Sequence, residues 1–384
     1  MVSRAEAQRW DAIVVGCGAM GASTSYNLAR RGLRVLTLER FGLNHRLGSS
    51  HGETRIIRLA YYEDSRYVPL LRRAFDSWRE LESKSGKTLL QLTGGLMIGR
   101  PEGELVTKVL ESAKAHEIPH RVLTSSEVDD EFEAFTIGDD MCAVHEESAG
   151  ILFPEECVEA FAEGAQEAGG EVRFGEQMNR WRSSKSGIEI ESSSGTYTTD
   201  RLILCAGAWN ISFVGNLLPL QCERQVPFWF SSNGQKRFKS GEMPVFIFEE
   251  DQKQFYYGIP DVGRGTKVAR THGGEIGEPD SIRREVTEED LAPVRGFIDH
   301  RLPMLKGPPI ASTTCLYTNT PDLNFAVGLH PDDPAVTLVS ACCGHGFKFA
   351  SVLGEVAADL ATERKTTYDL SFLDVNRFAR RSGP

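Results

Sequence analysis

A glycine-rich turn near the start of the chain constrains its fold more than any other feature. An apolar run over residues 11–15 ends in the sequence Gly-Cys-Gly-Ala-Met-Gly at residues 16–21, and residues 22–31 then predict a helix. A second apolar run over residues 33–38 predicts another strand, which ends at Glu39, 18 positions after the last glycine of the turn. This order of strand, glycine turn, helix, strand and acidic residue predicts a dinucleotide-binding βαβ unit.

Each position of this unit has a physical role in binding a dinucleotide. Gly16 permits the tight turn, Gly18 lets the backbone approach a pyrophosphate, and Gly21 lets the helix pack against the strand. The positive N-terminal end of the helix attracts the phosphates, and the carboxylate after the second strand accepts hydrogen bonds from ribose hydroxyls. FAD and NAD both satisfy these requirements. The candidate ligands here are Gly16, Gly18, Ala19, Met20, Gly21, Glu39 and Arg40.

Length and composition limit the remaining possibilities. The 384 residues suffice for two or three domains, and no segment has the ~18 consecutive apolar residues of a membrane helix. The formal charge of -11 disfavours nucleic acid and anionic membranes as partners. The N-terminal sequence lacks the order of a signal peptide, and the eight cysteines show no regular spacing, so we expect a cytoplasmic protein without disulfides or a metal site.

The rest of the chain alternates between helical and strand patterns. Apolar residues at three- and four-residue steps predict a helix over residues 68–81, and residues 154–168 predict another that begins with proline. Short β-type runs between residues 217 and 317 predict a mostly antiparallel sheet. Residues 336–340 predict a strand, and a second glycine turn then leads into a predicted helix over residues 347–362. The pattern indicates an α/β (α+β) chain with a Rossmann-type domain and a second, sheet-rich domain.

Three further motifs resemble those of the monomeric sarcosine oxidase family, which includes N-methyltryptophan and L-pipecolate oxidases. They are GSSHGETRIIR at residues 48–58, CLYTNT at residues 315–320 and GHGFK at residues 344–348, in the family order. The resemblance also covers Tyr61, Glu63, residues 148–153, residues 206–209 and residues 256–258, so that it spans nearly the whole chain.

The resemblance implies an FAD that is held covalently, by a thioether from Cys315 to the flavin 8α-methyl. It places His51 and Arg55 against the flavin ring, where a cation and a hydrogen-bond donor favour the negative charge of the reduced ring. The glycines of the second turn let the backbone pass close to the flavin. The flavin ligands implied in this way are Ser49, Ser50, Gly207, Trp209, Cys315, Gly344, His345, Gly346, Phe347 and Lys348.

The resemblance also implies a substrate site. Arg58 and Lys348 correspond to a clamp for the substrate carboxylate, with a bidentate guanidinium and an ammonium as the second charge. Tyr257 and Tyr317 correspond to tyrosines that line the substrate cavity, and Tyr61 and Glu63 join the same set of candidates.

Lys267 corresponds to the lysine that the family places over the flavin to activate oxygen. Four residues beyond that lysine the family commonly has a histidine that faces the substrate. Here Thr271 occupies that position, and the histidine is His272. A smaller, uncharged residue or a locally shifted strand would remodel the pocket.

The resemblance therefore implies a monomeric, discontinuous two-domain oxidase. We expect an FAD-binding domain of residues 1–88, 147–217 and 321–384, and a substrate domain of residues 89–146 and 218–320. It would oxidise a secondary (N-alkyl or cyclic) amino acid to an imine, which water hydrolyses, while oxygen becomes hydrogen peroxide.

Several alternatives stay open at this point. Sarcosine, N-methyltryptophan, a cyclic imino acid and an Amadori-type fructosyl amino acid are all candidate substrates. A dehydrogenase that passes electrons to a quinone or a protein would share nearly every motif. A non-catalytic FAD- or NAD-binding regulator would need neither Cys315 nor the clamp, and an NAD-linked dehydrogenase would leave two of the three motifs unexplained.

Overall fold

Three separated parts of the chain build the sheet that carries the first glycine turn. The computed structural model describes residues 8–185, 187–251 and 254–378. Its helices are α1 (Ala19–Arg30), α2 (Val68–Ser85), α3 (Glu104–Ala115), α4 (Ser125–Glu131), α5 (Pro154–Glu167), α6 (Ile211–Val214), α7 (Glu288–Arg301) and α8 (Ala350–Glu363). No helix among the described residues is long and apolar enough to cross a membrane.

The strands follow the chain in this order: β1 (Gln8–Trp10), β2 (Ala12–Val15), β3 (Val35–Glu39), β4 (Arg55–Ile57), β5 (Leu90–Leu92), β6 (Gly95–Gly99), β7 (Arg121–Thr124), β8 (Cys142–Glu146), β9 (Gly150–Leu152), β10 (Glu171–Phe174), β11 (Met178–Ser184), β12 (Gly187–Ser192), β13 (Thr196–Thr199), β14 (Leu202–Leu204), β15 (Gln221–Gln225), β16 (Phe228–Phe230), β17 (Val245–Asp251), β18 (Gln254–Ile259), β19 (Thr266–Thr271), β20 (Pro309–Ser312), β21 (Cys315–Asn319), β22 (Ala326–Leu329) and β23 (Val336–Ser340).

The first large sheet has the strand order β10-β3-β2-β14-β23-β22, and every neighbouring pair is parallel except β22–β23. Strands β2, β14 and β23 are buried along their whole length, as expected where helices cover the sheet. Helices α5 and α8 pack closely against α1. A Cβ on Gly354 of α8 would lie 2.1 Å from Ser23 Oγ, so glycine is required there for this approach.

The second large sheet has the order β20-β16-β19-β18-β17-β6-β8-β7. Its pairs are antiparallel except β6–β17, which confirms the predicted mostly antiparallel sheet. Helix α7 packs on one face of this sheet, where the Phe297 ring stacks on Tyr256 with centroids 4.3 Å apart. Two smaller groups of strands carry residues that matter below: the sheet β4-β9-β5 and the two-stranded ribbon β15-β21.

The predicted elements agree with the structure except at their ends. Helix α1 begins at Ala19 rather than Ala22, because Gly18 is the last extended residue and the remainder of the glycine motif already lies in the helix. Residues 347–349 form a 3-10 turn, so α8 begins at Ala350 instead of Phe347. The two-domain boundaries stay a prediction, and the ends of that division, residues 1–7 and 379–384, lie outside the described residues.

Candidate active site

A first cavity opens at the carboxyl ends of β2, β3, β14 and β23, where open α/β sheets bind their ligands. Gly21 is not part of its wall, because it packs against the turn below: a Cβ there would lie 1.8 Å from Gly16 O. The predicted cofactor ligands that line this cavity are Gly16, Gly18, Ala19, Met20, Glu39, Arg40, Ser49, Ser50, Gly207, Trp209, Cys315, Gly344, His345, Gly346, Phe347 and Lys348.

The glycine turn has the geometry that a pyrophosphate requires. Gly16 has φ +93°, and a Cβ on it would lie 2.6 Å from Cys205 O, so that another residue would be both strained and obstructed. Gly18 has no side chain to cap α1, and Ser50 Oγ accepts a hydrogen bond from Ala19 N (3.0 Å), so that among the described residues the N–H groups of Met20 and Gly21 stay open to an anion. The buried Glu39 accepts hydrogen bonds from Cys17 N (2.7 Å) and Phe41 N (2.8 Å), one on each oxygen. Each oxygen keeps a lone pair for a ribose hydroxyl.

A second glycine turn forms the opposite wall. A Cβ on Gly346 would lie 1.6 Å from Ala341 O, and one on Gly344, at φ +86°, would lie 2.8 Å from the Tyr317 ring. The backbone of this turn can therefore approach a flat ligand that larger residues would exclude. Together with the open helix end and the carboxylate of Glu39, these features fit an FAD that extends from the first turn to the second.

Asp280 is a wall residue that the sequence analysis missed. Its carboxylate pairs with Arg40 (2.7 and 3.0 Å) and accepts a hydrogen bond from Trp209 Nε1 (2.8 Å). The Arg40 guanidinium lies 5.7 Å from the centre of the Trp209 ring. Arg40, predicted to bind the cofactor, is thus already paired at the cavity edge. No local motif marks Asp280, which comes from a loop far away in sequence.

Arg55, His51 and Cys315 lie together where the first cavity meets a second one. Arg55 donates to Ser49 O (2.8 Å) and His51 O (2.5 Å), and the same nitrogen lies 3.9 Å from Cys315 Sγ. Burial and the nearby Arg55 charge lower the pKa of His51 to about 3, so its ring is neutral. Because Gly48 O lies 3.2 Å from His51 Nε2, that nitrogen carries the proton, and Nδ1 has no partner among the described residues. Of His51 and Arg55, the two residues expected beside the flavin ring, Arg55 therefore carries the positive charge.

The second cavity has a volume of about 480 Å³ and shares Arg55, Cys315, Tyr317 and the second glycine turn with the first. Apolar and aromatic side chains form much of its wall, including the Tyr62 and Phe255 rings, which stack with centroids 5.5 Å apart. Of the residues predicted to bind substrate or act in catalysis, those that line this cavity are His51, Arg55, Arg58, Glu63, Tyr257, Thr271, His272, Tyr317 and Lys348. Tyr61 lies behind this wall, where its hydroxyl is 2.6 Å from His345 Nδ1.

The two predicted clamp residues, Arg58 and Lys348, reach the same cavity, but Arg58 already has a carboxylate partner. Its guanidinium donates to both oxygens of Glu63 (2.8 and 2.6 Å) and to Ala60 O (2.7 Å), whereas Arg58 Nε has no partner among the described residues. Lys348 Nζ donates to His345 O (2.7 Å). Burial and the Arg58 charge lower the pKa of Lys348 to about 7.

Lys267 is buried on β19 and does not line either cavity. Its Nζ donates to Gly52 O (2.9 Å) and Thr54 O (2.8 Å), so the amine supports the loop that carries His51 and Arg55. The Trp229 ring centre is 5.1 Å from the same nitrogen. Burial, together with the Arg55 charge, holds the pKa of Lys267 well below its usual value.

The chain turns sharply at the position where the sequence departs from the family pattern. Strand β19 ends at Thr271, whose hydroxyl donates to Phe255 O (3.3 Å). His272 follows with φ +58° and Gly273 with φ +74°. This left-handed turn brings the His272 ring against Tyr317, with centroids 5.3 Å apart, so that both Thr271 and His272 face the cavity. The strand therefore ends instead of shifting its register.

Comparisons with known proteins agree with this geometry. The family model for FAD-dependent oxidoreductases matches residues 11–360. A monomeric sarcosine oxidase of Streptomyces avermitilis is 37% identical over 376 residues, which cover 96% of this chain and 98% of the relative. An N-methyl-L-tryptophan oxidase of Yersinia pestis is 32% identical over 371 residues, with 96% and 99% coverage.

Solved structures show the same fold at lower identity. The L-proline dehydrogenase of P. horikoshii superposes with a TM-score of 0.85 at 21% identity, covering 97% of this chain and 99% of that one. A glycine oxidase of Geobacillus kaustophilus gives a TM-score of 0.83 at 18% identity, with 96% and 99% coverage. From the family match and the near full-length relatives, the chain belongs to the FAD-dependent oxidoreductases, within the group of the monomeric sarcosine oxidases.

Proposed function

We propose that this protein oxidises the C–N bond of small N-methyl or other secondary α-amino acids, with FAD as cofactor and oxygen as electron acceptor. The observation that carries the proposal is the position of Arg58 and Lys348. Both cations lie in a largely apolar cavity that meets the candidate flavin cavity at the second glycine turn. A carboxylate bound there leaves the amine and its N-alkyl group on the flavin side.

The clamp favours an anionic substrate of limited size. We infer that a carboxylate in the cavity would meet Lys348 Nζ and Arg58 Nε, which has no partner among the described residues, whereas Glu63 already occupies one outer guanidinium nitrogen. Two carboxylates around one buried arginine need a second cation, and Lys348 supplies it. Glu63 thus keeps Arg58 oriented and neutralised when the cavity is empty of substrate.

Residues of this chain would orient the cofactor and the substrate. The first glycine turn and Glu39 would hold the pyrophosphate and ribose, and the second glycine turn would lie along the flavin ring. A bound FAD would supply the two-electron acceptor for a hydride equivalent from the substrate carbon. Tyr257 and Tyr317 form part of the substrate wall, and burial raises the pKa of Tyr257 to about 12, so its hydroxyl stays protonated. These residues exclude water and fix the orientation of the reacting C–H bond.

We further propose that Cys315 would form the thioether to the flavin: its S–H bond and one C–H bond of the flavin 8α-methyl would break, an S–C bond would form, and the two electrons released would pass through the flavin to oxygen, giving hydrogen peroxide. The thiol lines both cavities, and an Arg55 guanidinium nitrogen lies 3.9 Å from its sulfur. We propose that Lys267 activates oxygen. Its amine donates hydrogen bonds to Gly52 O and Thr54 O, in the loop that carries His51 and Arg55. We also propose that the enzyme works as a monomer in the cytoplasm, with the two discontinuous domains given above.

A substrate panel tests the function. Purified protein is supplied with sarcosine, N-methyl-L-tryptophan, L-pipecolate and fructosyl-glycine, and both peroxide release and anaerobic dye reduction are measured. We expect peroxide from at least one secondary amino acid and none from its methyl ester. Rapid dye reduction with slow oxygen consumption would identify a dehydrogenase instead, and inactivity toward every amine in both assays would contradict the proposal.

A further inference from the structure

The turn at residues 272–274 is fixed to strand β15 by one buried carboxylate. Glu223 accepts hydrogen bonds from His272 Nδ1 (3.2 Å), Gly274 N (2.8 Å) and Gln225 Nε2 (2.8 Å), and also from Asn319. A Cβ on Gly274 would lie 1.8 Å from Arg224 O, so this turn needs glycine to reach β15. Glu223 belongs to none of the sequence motifs described above.

Four donors around one carboxylate determine its charge and the proton position on the imidazole. Burial acts to raise the pKa of Glu223, but the hydrogen bonds from His272 and Gly274 outweigh burial and leave that pKa below its usual value. An ionised carboxylate only accepts hydrogen bonds, so His272 Nδ1 carries a proton. In the neutral ring, Nε2 then holds a lone pair. That nitrogen lies 3.3 Å from the position of a Cβ on Gly344, at the junction of the two cavities.

The proposed reaction needs a group that can accept a proton from the substrate amine. A free secondary amino acid is a zwitterion at neutral pH, and its ammonium nitrogen has no electron pair to assist removal of the neighbouring hydride. A proton must therefore leave the nitrogen before the C–H bond breaks. A basic side chain in the cavity can accept that proton and typically accelerates such a reaction about 10²–10⁴-fold.

Five other titratable groups that line this cavity are poorly suited to accept the proton. Burial lowers the pKa of His51 to about 3 and that of His345 to about 4, which makes both weak bases. Burial holds the pKa of Tyr317 well above its usual value, so its hydroxyl keeps its proton. Glu63 is bound to Arg58, and Lys348 is the partner of the substrate carboxylate in the proposed clamp.

We propose that His272 accepts the proton of the substrate ammonium and that Glu223 is the positioning residue that holds its ring. This inference rests on the proposed function. The ammonium N–H bond breaks, its electron pair stays on the amine, and the proton binds His272 Nε2. Glu223 offsets the charge of the imidazolium. The His272 side chain is 35% exposed, so the proton can then pass to solvent.

The charged and titratable groups that face His272 come from several elements. Glu223 lies on β15 and Tyr317 on β21, and Tyr257, Cys315 and Arg55 line the same cavity as His272. The test therefore needs variants of His272 and Glu223 themselves. His272→Asn is suited to the left-handed backbone, because asparagine tolerates positive φ and has no basic nitrogen.

The first measurement is kcat/KM from about pH 6 to 10 with sarcosine and with N-methyl-L-tryptophan, normalised to bound flavin. We expect His272→Asn to lose at least about tenfold at pH 7. The deficit should shrink about tenfold per pH unit up to the pKa of the substrate amine, because the free neutral amine becomes more abundant. Glu223→Gln should show a smaller loss, because the imidazole keeps its base nitrogen but loses the carboxylate that orients the ring and offsets its charge. The exposed His300→Asn serves as control and should match the wild type.

The second measurement does not depend on activity. Nuclear magnetic resonance of histidine labelled with ¹⁵N should show the Nδ1–H tautomer for the signal that disappears in His272→Asn. In Glu223→Gln that signal should acquire Nε2–H character. A pH-independent loss of activity in His272→Asn, or an Nε2–H tautomer in the wild type, would overturn the inference. Absence of oxidation of every amine would instead contradict the proposed function, while the tautomer would still test the Glu223–His272 pair.

Discussion

The two cavities that meet at the second glycine turn are built in different ways. The flavin-side cavity is formed largely by backbone: glycines at special φ values, an open helix end and a carboxylate bound to neighbouring N–H groups. The substrate-side cavity depends on polar side chains that are paired with one another, as in the buried ion pair Arg58–Glu63 and the hydrogen bond between His272 and Glu223. The first arrangement holds a cofactor common to many enzymes, whereas the second can be changed one residue at a time. We therefore expect cofactor binding to tolerate few changes and substrate choice to vary readily.

Among the variants that test the flavin-side and substrate-side cavities, removal of the proposed attachment residue should have the largest effect. Cys315→Ala should abolish the covalent adduct, so that the denatured variant has the bare polypeptide mass while the wild type carries one FAD. Intact-mass spectrometry measures this directly. Cys342→Ala is the matched control, because that thiol lines the same cavity. An adduct that persists in Cys315→Ala would place the linkage on another residue.

The clamp should give the next largest effect. Arg58→Ala removes one side of a buried ion pair, a change that typically costs about 2–5 kcal/mol, and leaves Glu63 in the path of an incoming carboxylate. We expect KM for an anionic substrate to rise at least about thirtyfold. Arg66→Ala is the control, because its side chain is 54% exposed and pairs with Asp64 instead. An unchanged KM in Arg58→Ala would remove Arg58 from the clamp.

A variant of Lys267 tests whether this buried amine affects the flavin-side cavity, the substrate-side cavity or both. Lys267→Met keeps the bulk of the side chain but removes the amine. Reoxidation of the reduced flavin by air should slow at least about tenfold, while reduction by substrate without air changes little. Stopped-flow absorbance separates the two half-reactions. Equal slowing of both would mean that the hydrogen bonds to Gly52 and Thr54, rather than the charge, are what matters.

The pH dependence of binding should show the smallest effect. The pKa of Lys348 is lowered to about 7, so this lysine is charged below that pH and loses its charge above it. KM for an anionic substrate should therefore rise a few-fold between about pH 6.5 and 8.5, although a bound carboxylate will stabilise the charged form. In Lys348→Met the KM should be higher throughout and independent of pH in this range. A flat wild-type profile would show that Lys348 stays charged.

The contrast between the two cavities also explains which parts of the fold and of the site could be predicted from the sequence. The strand at residues 336–340 and the helix from Pro154 follow from local patterns, and so do the roles of Gly16 and Glu39, which depend on near neighbours. Glu223 and Asp280 could not be found this way, because each acts on residues from distant strands or loops. The sequence shows that the family histidine stands one residue later, at His272 instead of position 271. The consequence of this difference depends on two successive left-handed residues and on a contact with β15.

The position of β14 in the first sheet has a consequence for how the protein is made. This strand pairs with β2 on one side and β23 on the other, and the helix that begins after the second glycine turn covers α1. A growing chain on the ribosome therefore lacks one neighbour of β14 and one of the two helices that pack on α1 until Ser340 and the residues after it have emerged. Contacts between such distant segments form slowly. Capture of the flavin must consequently be one of the last steps of maturation, and a chain cut short before β23 would contain the first glycine turn without the wall that completes its site.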